Sequence, residues 1–157
     1  MLLLLQLILR WLTGRVVSDE EIPAQARSKQ PGDYTLADII AMPRGADPLL
    51  GIALHHHNGR IAALAVERLA KHEYVRLVAL TQEAHYDARE AAVMRSSHDE
   101  PLLIEIAIRD DEPELAVTAA RLIRSPDQAM RLLQSKYPRV HAIAHTVLES
   151  HRLVAHA

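Results

Sequence analysis

Tyr86-Asp87-Ala88-Arg89-Glu90-Ala91-Ala92-Val93 decides the fold, because three other segments align with it without a gap. These are Gly59-Arg60-Ile61-Ala62-Ala63-Leu64-Ala65-Val66, Pro113-Glu114-Leu115-Ala116-Val117-Thr118-Ala119-Ala120 and Pro138-Arg139-Val140-His141-Ala142-Ile143-Ala144-His145, spaced 25 to 27 residues apart. Each opens a helix with a small-residue face, and after the first three a second apolar segment follows. One helical hairpin cannot bury its own apolar face, whereas a row of hairpins can. The pattern therefore predicts an all-α chain, an α-solenoid of about four and a half stacked helical hairpins.

Working outward, the segment after Gly59 has the cleanest periodicity. Ile61, Leu64, Ala65, Arg68 and Leu69 fall at helical spacing, with Arg68 placed to snorkel at the edge. Val75, Leu77, Val78 and Leu80 supply its partner helix. In the next unit Leu102, Leu103, Ile104, Ile106, Ala107 and Ile108 are apolar enough to be buried on more than one side. Leu115, Thr118, Ala119, Leu122 and Ile123 carry the stripe onward, and Val140, Ile143, Ala144, Val147 and Leu148 form a final half-repeat expected to cap the stack. A more degenerate unit begins near Gly32, with Thr35 to Asp38 as a helix cap and Asp47-Pro48 opening a second helix. Asn58-Gly59 reads as a helix end that tolerates left-handed backbone. Ser97 with Glu100 reads as a capping box, and Ser125-Pro126-Asp127-Gln128 as the best helix start in the chain.

Composition agrees with a helical core. The chain has 157 residues, room for one domain, and is 49% apolar with no Phe, one Trp and four Tyr. Leu, Ala, Ile and Val must fill the core, and such side chains suit closely spaced helices better than sheets. Without Cys there are no disulfides, thiol nucleophiles or cysteine metal sites. A net charge of −2 gives no general attraction to nucleic acid.

Charge is uneven along the chain. Asp99, Glu100, Glu105, Asp110, Asp111, Glu112 and Glu114 form an acidic stretch broken only by Arg109, and Arg121, Arg124, Arg131, Lys136 and Arg139 a basic one opposed only by Asp127. Two readings follow. The stretches are solvated faces that attract each other across neighbouring hairpins. Alternatively Asp111, Glu112, Arg121, Arg124 and Arg131 form a polar partner surface.

The first 13 residues, Met1 to Thr13, are apolar except for Gln6, Arg10 and Thr13, so a helix here shows one narrow polar stripe. The run is too short to span a bilayer, which needs about 20 apolar residues. It is also a poor secretory signal, because no basic residue precedes it and Arg10 interrupts it. Burying its eight Leu and Ile side chains is worth on the order of 15 kcal/mol. Three covers are open: the end of the solenoid, a partner or second copy reached through Leu3, Leu7 and Trp11, and a membrane interface. Residues 14–31 read as a linker and 32–157 as the repeat domain.

Asp87-Ala88-Arg89-Glu90-Ala91-Ala92-Val93, followed by Leu103-Ile104-Glu105-Ile106-Ala107-Ile108-Arg109-Asp110, resembles the short HEAT-like repeats of bacterial proteins and the related leucine-rich variant repeats. The resemblance covers residues from about Gly32 onward. It implies an arginine near the start of each first helix, which appears here only as Arg89, with Ala62, Ala116 and His141 elsewhere. It also implies a class containing scaffolds, lyases, a DNA glycosylase group and a di-iron hydroxylase. None of those catalytic signatures is clearly present, and the single His72-Glu73 pair is too little for a di-iron site.

Ten histidines offer the best case for chemistry. The repeat register sets His57 and His85 on neighbouring turns of one ridge, so His55, His57 and His85 are the candidate ligands of a divalent metal. The bland alternative is exposed loop histidines that bind nothing. His141 and His145 share a helical face, and register suggests at least partial burial of His145. No phosphate-binding glycine loop or nucleophile elbow occurs. The expected function is a non-enzymatic adaptor that binds a protein partner or itself, with no cofactor and a cytoplasmic location. The alternatives are a metal-dependent or lyase-like enzyme using the histidine ridge, and a peripheral scaffold on the inner face of a membrane.

Overall fold

The computed structural model describes residues 29–155, with side chains described to residue 153. The apolar segment 1–13 with Leu3, Leu7 and Trp11, and most of the expected linker, lie outside the described residues. By its internal contacts the chain divides between Gln30 and Pro31, and every described helix belongs to the unit Pro31–Ala157.

That unit is all-helical among the described residues. A 3-10 turn at Pro31–Asp33 precedes α1 (Leu36–Ala41), α2 (Pro48–His55), α3 (Gly59–Arg68), α4 (His72–Leu80) and α5 (Tyr86–Arg95). Then come α6 (Glu100–Arg109), α7 (Pro113–Leu122), α8 (Pro126–Leu132) and α9 (Pro138–Ala155). The four aligned segments open α3, α5, α7 and α9. Among the described residues no helix is long and apolar enough to cross a membrane.

Except at α4, where Lys71 forms no side-chain cap and no proline opens the helix, helix starts follow two rules. At α2, α7 and α8 a proline at the first helical position makes the start, and the preceding Asp47, Glu112 and Ser125 form no side-chain cap. Thr35 closes a full capping box with Asp38 at α1. Asn58 Oδ1 accepts from the Arg60 and Ile61 amides at α3, so Asn58 starts a helix instead of ending one. Its φ of −93° is extended, not left-handed. At α6 the cap is Asp99, whose Oδ1 accepts from the Leu102 amide at 3.2 Å, rather than Ser97.

The small-residue register explains the packing. Ala65, Ala92, Ala119 and Ala144 occupy one position of the four aligned helices and all have no exposed surface. Side chains this small let α3 pack on α5, α5 on α7 and α7 on α9, while α2 packs on α4 and α6 on α8. Val66, Val93 and Ala120 are equally buried one position on, yet His145 at the same register is exposed. No later helix among the described residues covers that face of α9. Leu102, Leu103, Ile104, Ile106 and Ala107 are all buried, so α6 is covered on several sides, as its composition requires.

After α3–α5, the closest helix pairs are α2–α3, α4–α5, α6–α7 and α8–α9. Each second helix of a sequence repeat thus sits tightest against the first helix of the next. The turns that join these pairs hold the structurally important polar groups.

Candidate functional site

Each of those four turns uses one device: a side chain accepts a hydrogen bond from the amide two residues ahead, as Asn, Asp or Ser does in a tight turn. The Asn58 amide donates to His56 Nδ1 at 2.9 Å, and the Asp87 amide to His85 Nδ1 at 3.2 Å. The Glu112 amide donates to Asp110 Oδ1 at 2.9 Å, and the Tyr137 amide to Ser135 Oγ at 3.3 Å. The two histidines stand in for the shorter polar residues.

His56, Asp110 and Ser135 are buried, and each reaches a second partner more than twenty residues back in the chain. His56 Nε2 donates to the Tyr34 carbonyl at 3.0 Å, so with Nδ1 accepting, the ring is the neutral Nε2–H tautomer. Ser135 Oγ donates to the Ala107 carbonyl at 2.7 Å. Asp110 is gripped by Arg89, whose Nη1 donates to Oδ1 at 3.3 Å and whose Nη2 donates to Oδ2. Arg89 also gives Nε and Nη2 to the Ala79 carbonyl at 3.2 and 3.1 Å. This charge pair is therefore buried with its bonding groups engaged, the condition under which a buried ion pair is tolerated.

The candidate metal ligands are differently occupied. His55 is the exposed last residue of α2, and His57 is exposed with its ring stacked on His56 at 4.6 Å. The Nδ1 of His85 is taken by the Asp87 amide, and its ring lies so close over Gly59 that a β-carbon there would overlap it. Among the described residues no three His, Asp or Glu side chains are grouped to hold a metal ion. His141 Nε2 bonds the Ser135 carbonyl at 2.6 Å and His151 Nε2 the Arg124 carbonyl at 3.2 Å, so these two rings pin α9 to earlier chain.

The acidic and basic stretches meet across neighbouring turns. Lys136 Nζ lies 2.7 Å from Asp111 Oδ1, and Arg139 pairs with Glu114. The Lys136 bond holds Asp111 below the usual carboxylate range, and Asp111 in turn raises Lys136. Burial pushes the Tyr86 phenol up, and Glu90, Glu114 and Glu112 add to it. Arg121 and Arg124 behave otherwise: both are exposed and neither side chain has an ion pair or hydrogen bond among the described residues. Among the described residues Arg131 bonds only Gln128, at 3.2 Å.

Two clefts lie on the opposite edge, at the loops after α3 and α5. One of about 150 Å³ is lined by Gly45, Asp47, Leu50, Leu69, Lys71 and Tyr74 among others, with Lys71 Nζ set 4.9 Å over the Tyr74 ring. A more open one of about 380 Å³ is lined by His72, Arg95, Ser96, His98, Asp99 and Pro101. There Asp99 is held below the usual carboxylate range. Burial pushes it up, but bonds from His72 at 3.1 Å, the Leu102 amide at 3.2 Å and Arg76 at 2.8 Å outweigh that. Arg95 spends its guanidinium on the Val66 and Leu69 carbonyls. Arg68, one repeat earlier, does the same to the Met42 carbonyl.

Sequence reasoning passed over His56, Asp110 and Ser135. The available signal was a polar residue three positions before each of the four aligned segments, His56, Glu83, Asp110 and Ser135. Compared with protein families, with curated proteins and with solved structures, the chain matches none.

Proposed function

We propose that this chain is a non-enzymatic adaptor whose helices stack as a HEAT-like α-solenoid and bind a protein partner through their exposed surface. The observation that carries the reading is on α4. Val75, Val78 and Ala79 face the core, while Leu77 and Leu80 stand 47% and 38% exposed on the other side. On α8, Met130, in register with Arg76 of α4, is 57% exposed. Large apolar groups exposed on α4 and on α8 and edged by charge, here Arg76 with Glu105 and then Arg131, suit contact with another protein. Stacked repeats use such surfaces for binding more often than for catalysis. The bonding of His56 and His85 within turns supports a structural use of these histidines rather than a catalytic one.

The test is capture of the full-length chain from its source cells, with identification of bound proteins by mass spectrometry. It is run beside Leu77→Asp/Leu80→Asp and beside a chain lacking residues 1–13. A stoichiometric protein recovered with the original chain and lost with the α4 variant is expected. Loss only on truncation would move docking to the N-terminal segment. Recovery of no stoichiometric partner by any form would defeat the adaptor reading.

A further inference from the structure

The arginines at the end of α7 differ from the other cations near them. Lys136 and Arg139 each meet an acid 25 residues back, Asp111 and Glu114. Arg76 meets Asp99 and Glu105, and Arg68 and Arg95 cap carbonyls of the preceding repeat. Twenty-five residues behind Arg121 and Arg124 stand Ser96 and Asp99, and Asp99 is already engaged by His72 and Arg76. Among the described residues the Arg121 and Arg124 guanidinium groups stay exposed and unspent.

The bond from His151 to the Arg124 carbonyl brings the end of α9 to the same loop and with it the exposed Arg152. The α7–α8 loop, the helix after it and the end of α9 thus carry Arg121, Arg124, Arg131 and Arg152 with Asp127 and Glu149, a local surplus of positive charge on a chain that is net negative. Met130, 57% exposed, and Leu153, 74% exposed, flank these arginines. We propose that the corner formed by the α7–α8 loop and the end of α9 is a docking site for an acidic, partly apolar protein segment.

Three observations select that ligand. A guanidinium offers a planar fork that matches a carboxylate with two parallel bonds. Exposed thioether and aliphatic groups give an apolar side chain something to bury against. No aromatic ring stands among these residues to stack a nucleic-acid base.

The site rests on the adaptor reading, but the two fail separately. The probe is a fluorescein-labelled decapeptide of alternating Glu and Leu, titrated with the full-length chain. Anisotropy should report binding that weakens about tenfold or more in Arg121→Glu/Arg124→Glu. Arg44→Glu/Arg60→Glu, at exposed arginines elsewhere, should bind as the original does, and an alternating Lys and Leu peptide should not bind. Circular dichroism checks that each variant folds, and Arg121→Gln/Arg124→Gln should lose binding without charge reversal. The proposal is overturned if the acidic peptide does not bind or binds the reversed variant equally well. It is also overturned if phosphatidylserine vesicles or a single-stranded oligonucleotide bind more tightly than the peptide. A cellular partner lost with the Leu77 and Leu80 variant but held by the arginine variant would sink this corner and leave the adaptor reading intact.

Discussion

Arg89 and Asp110, twenty-one residues apart, form a buried ion pair that ties α5 to the turn between α6 and α7. Arg89 stands where Ala62 and Ala116 stand in neighbouring repeats, so one helix has exchanged a small core residue for a long charged one. The exchange is tolerated because Asp110, the Ala79 carbonyl and the Glu112 amide complete the bonding. Removing either charge strands the other away from water. Arg89→Ala or Asp110→Ala should each cost about 3–5 kcal/mol in urea unfolding, and the double variant less than the sum of the two. Lys136→Ala, at the exposed pair with Asp111, should leave the midpoint unchanged within error. Equal effects at the two pairs would contradict this assignment.

Two glycines should respond in opposite directions to alanine. Gly45 has φ +76°, donates its amide to the Arg68 carbonyl at 2.9 Å, and would set a β-carbon 2.8 Å from that of Ala70. Gly45→Ala should destabilise by about 1–3 kcal/mol. Gly51 is inside α2, where among the described residues a β-carbon meets only Pro31 Cγ at 3.7 Å. Gly51→Ala should therefore stabilise by about 0.5–1 kcal/mol through helix propensity. Thermal unfolding of the two variants side by side checks both signs.

The three adjacent histidines should not behave alike. His56→Ala leaves the Asn58 amide and the Tyr34 carbonyl without their partner and should cost about 2–3 kcal/mol. His55→Ala, at an exposed helix end, should change stability by less than about 0.5 kcal/mol. A large effect at His55 would indicate that it has a role beyond the surface.

Much of the helical pattern was legible in the amino acids, because a repeat aligned four times averages out local ambiguity. Pro48, Pro113, Pro126 and Pro138 marked helix starts correctly, since proline at a first position needs no partner beyond its own ring. What was hidden depends on contacts between distant residues. Asn58 looks like a helix end in isolation, and only the placement of the Arg60 and Ile61 amides makes it a start. His145 matches Val66 in register but lacks a covering helix, which a local pattern cannot convey. The Arg89–Asp110 pair spans parts of two repeats, and the tight α4–α5 and α6–α7 pairings cross the repeat boundary. At the candidate surface, the pairing of Lys136 and Arg139 with acids follows from the charge pattern, but the isolation of Arg121 and Arg124 does not.

Acid should expose the network at α6. Folding favours the ionised form of Asp99 through its bonds to His72, Arg76 and the Leu102 amide, despite the opposing effect of burial. A carboxyl lowered by folding lends stability that is complete above its unfolded value, about 4, and is lost as pH falls through the lower folded value. The urea midpoint should thus decline from about pH 5 to pH 3, and less steeply in Asp99→Asn. Some slope should remain, because Asp111 is lowered as well. A variant slope as steep as the original would show that Asp99 is not a contributor.

Amide hydrogen exchange on the full-length chain, free and in the complex captured from its source cells, tests the binding surface most directly. The account predicts added protection across His72–Leu80 of α4 and in the loop between α7 and α8, with the buried turns at His56 and Asp110 unchanged. Identical exchange in α4 and that loop in the two samples, with new protection only around His85 and Asp111, would contradict it.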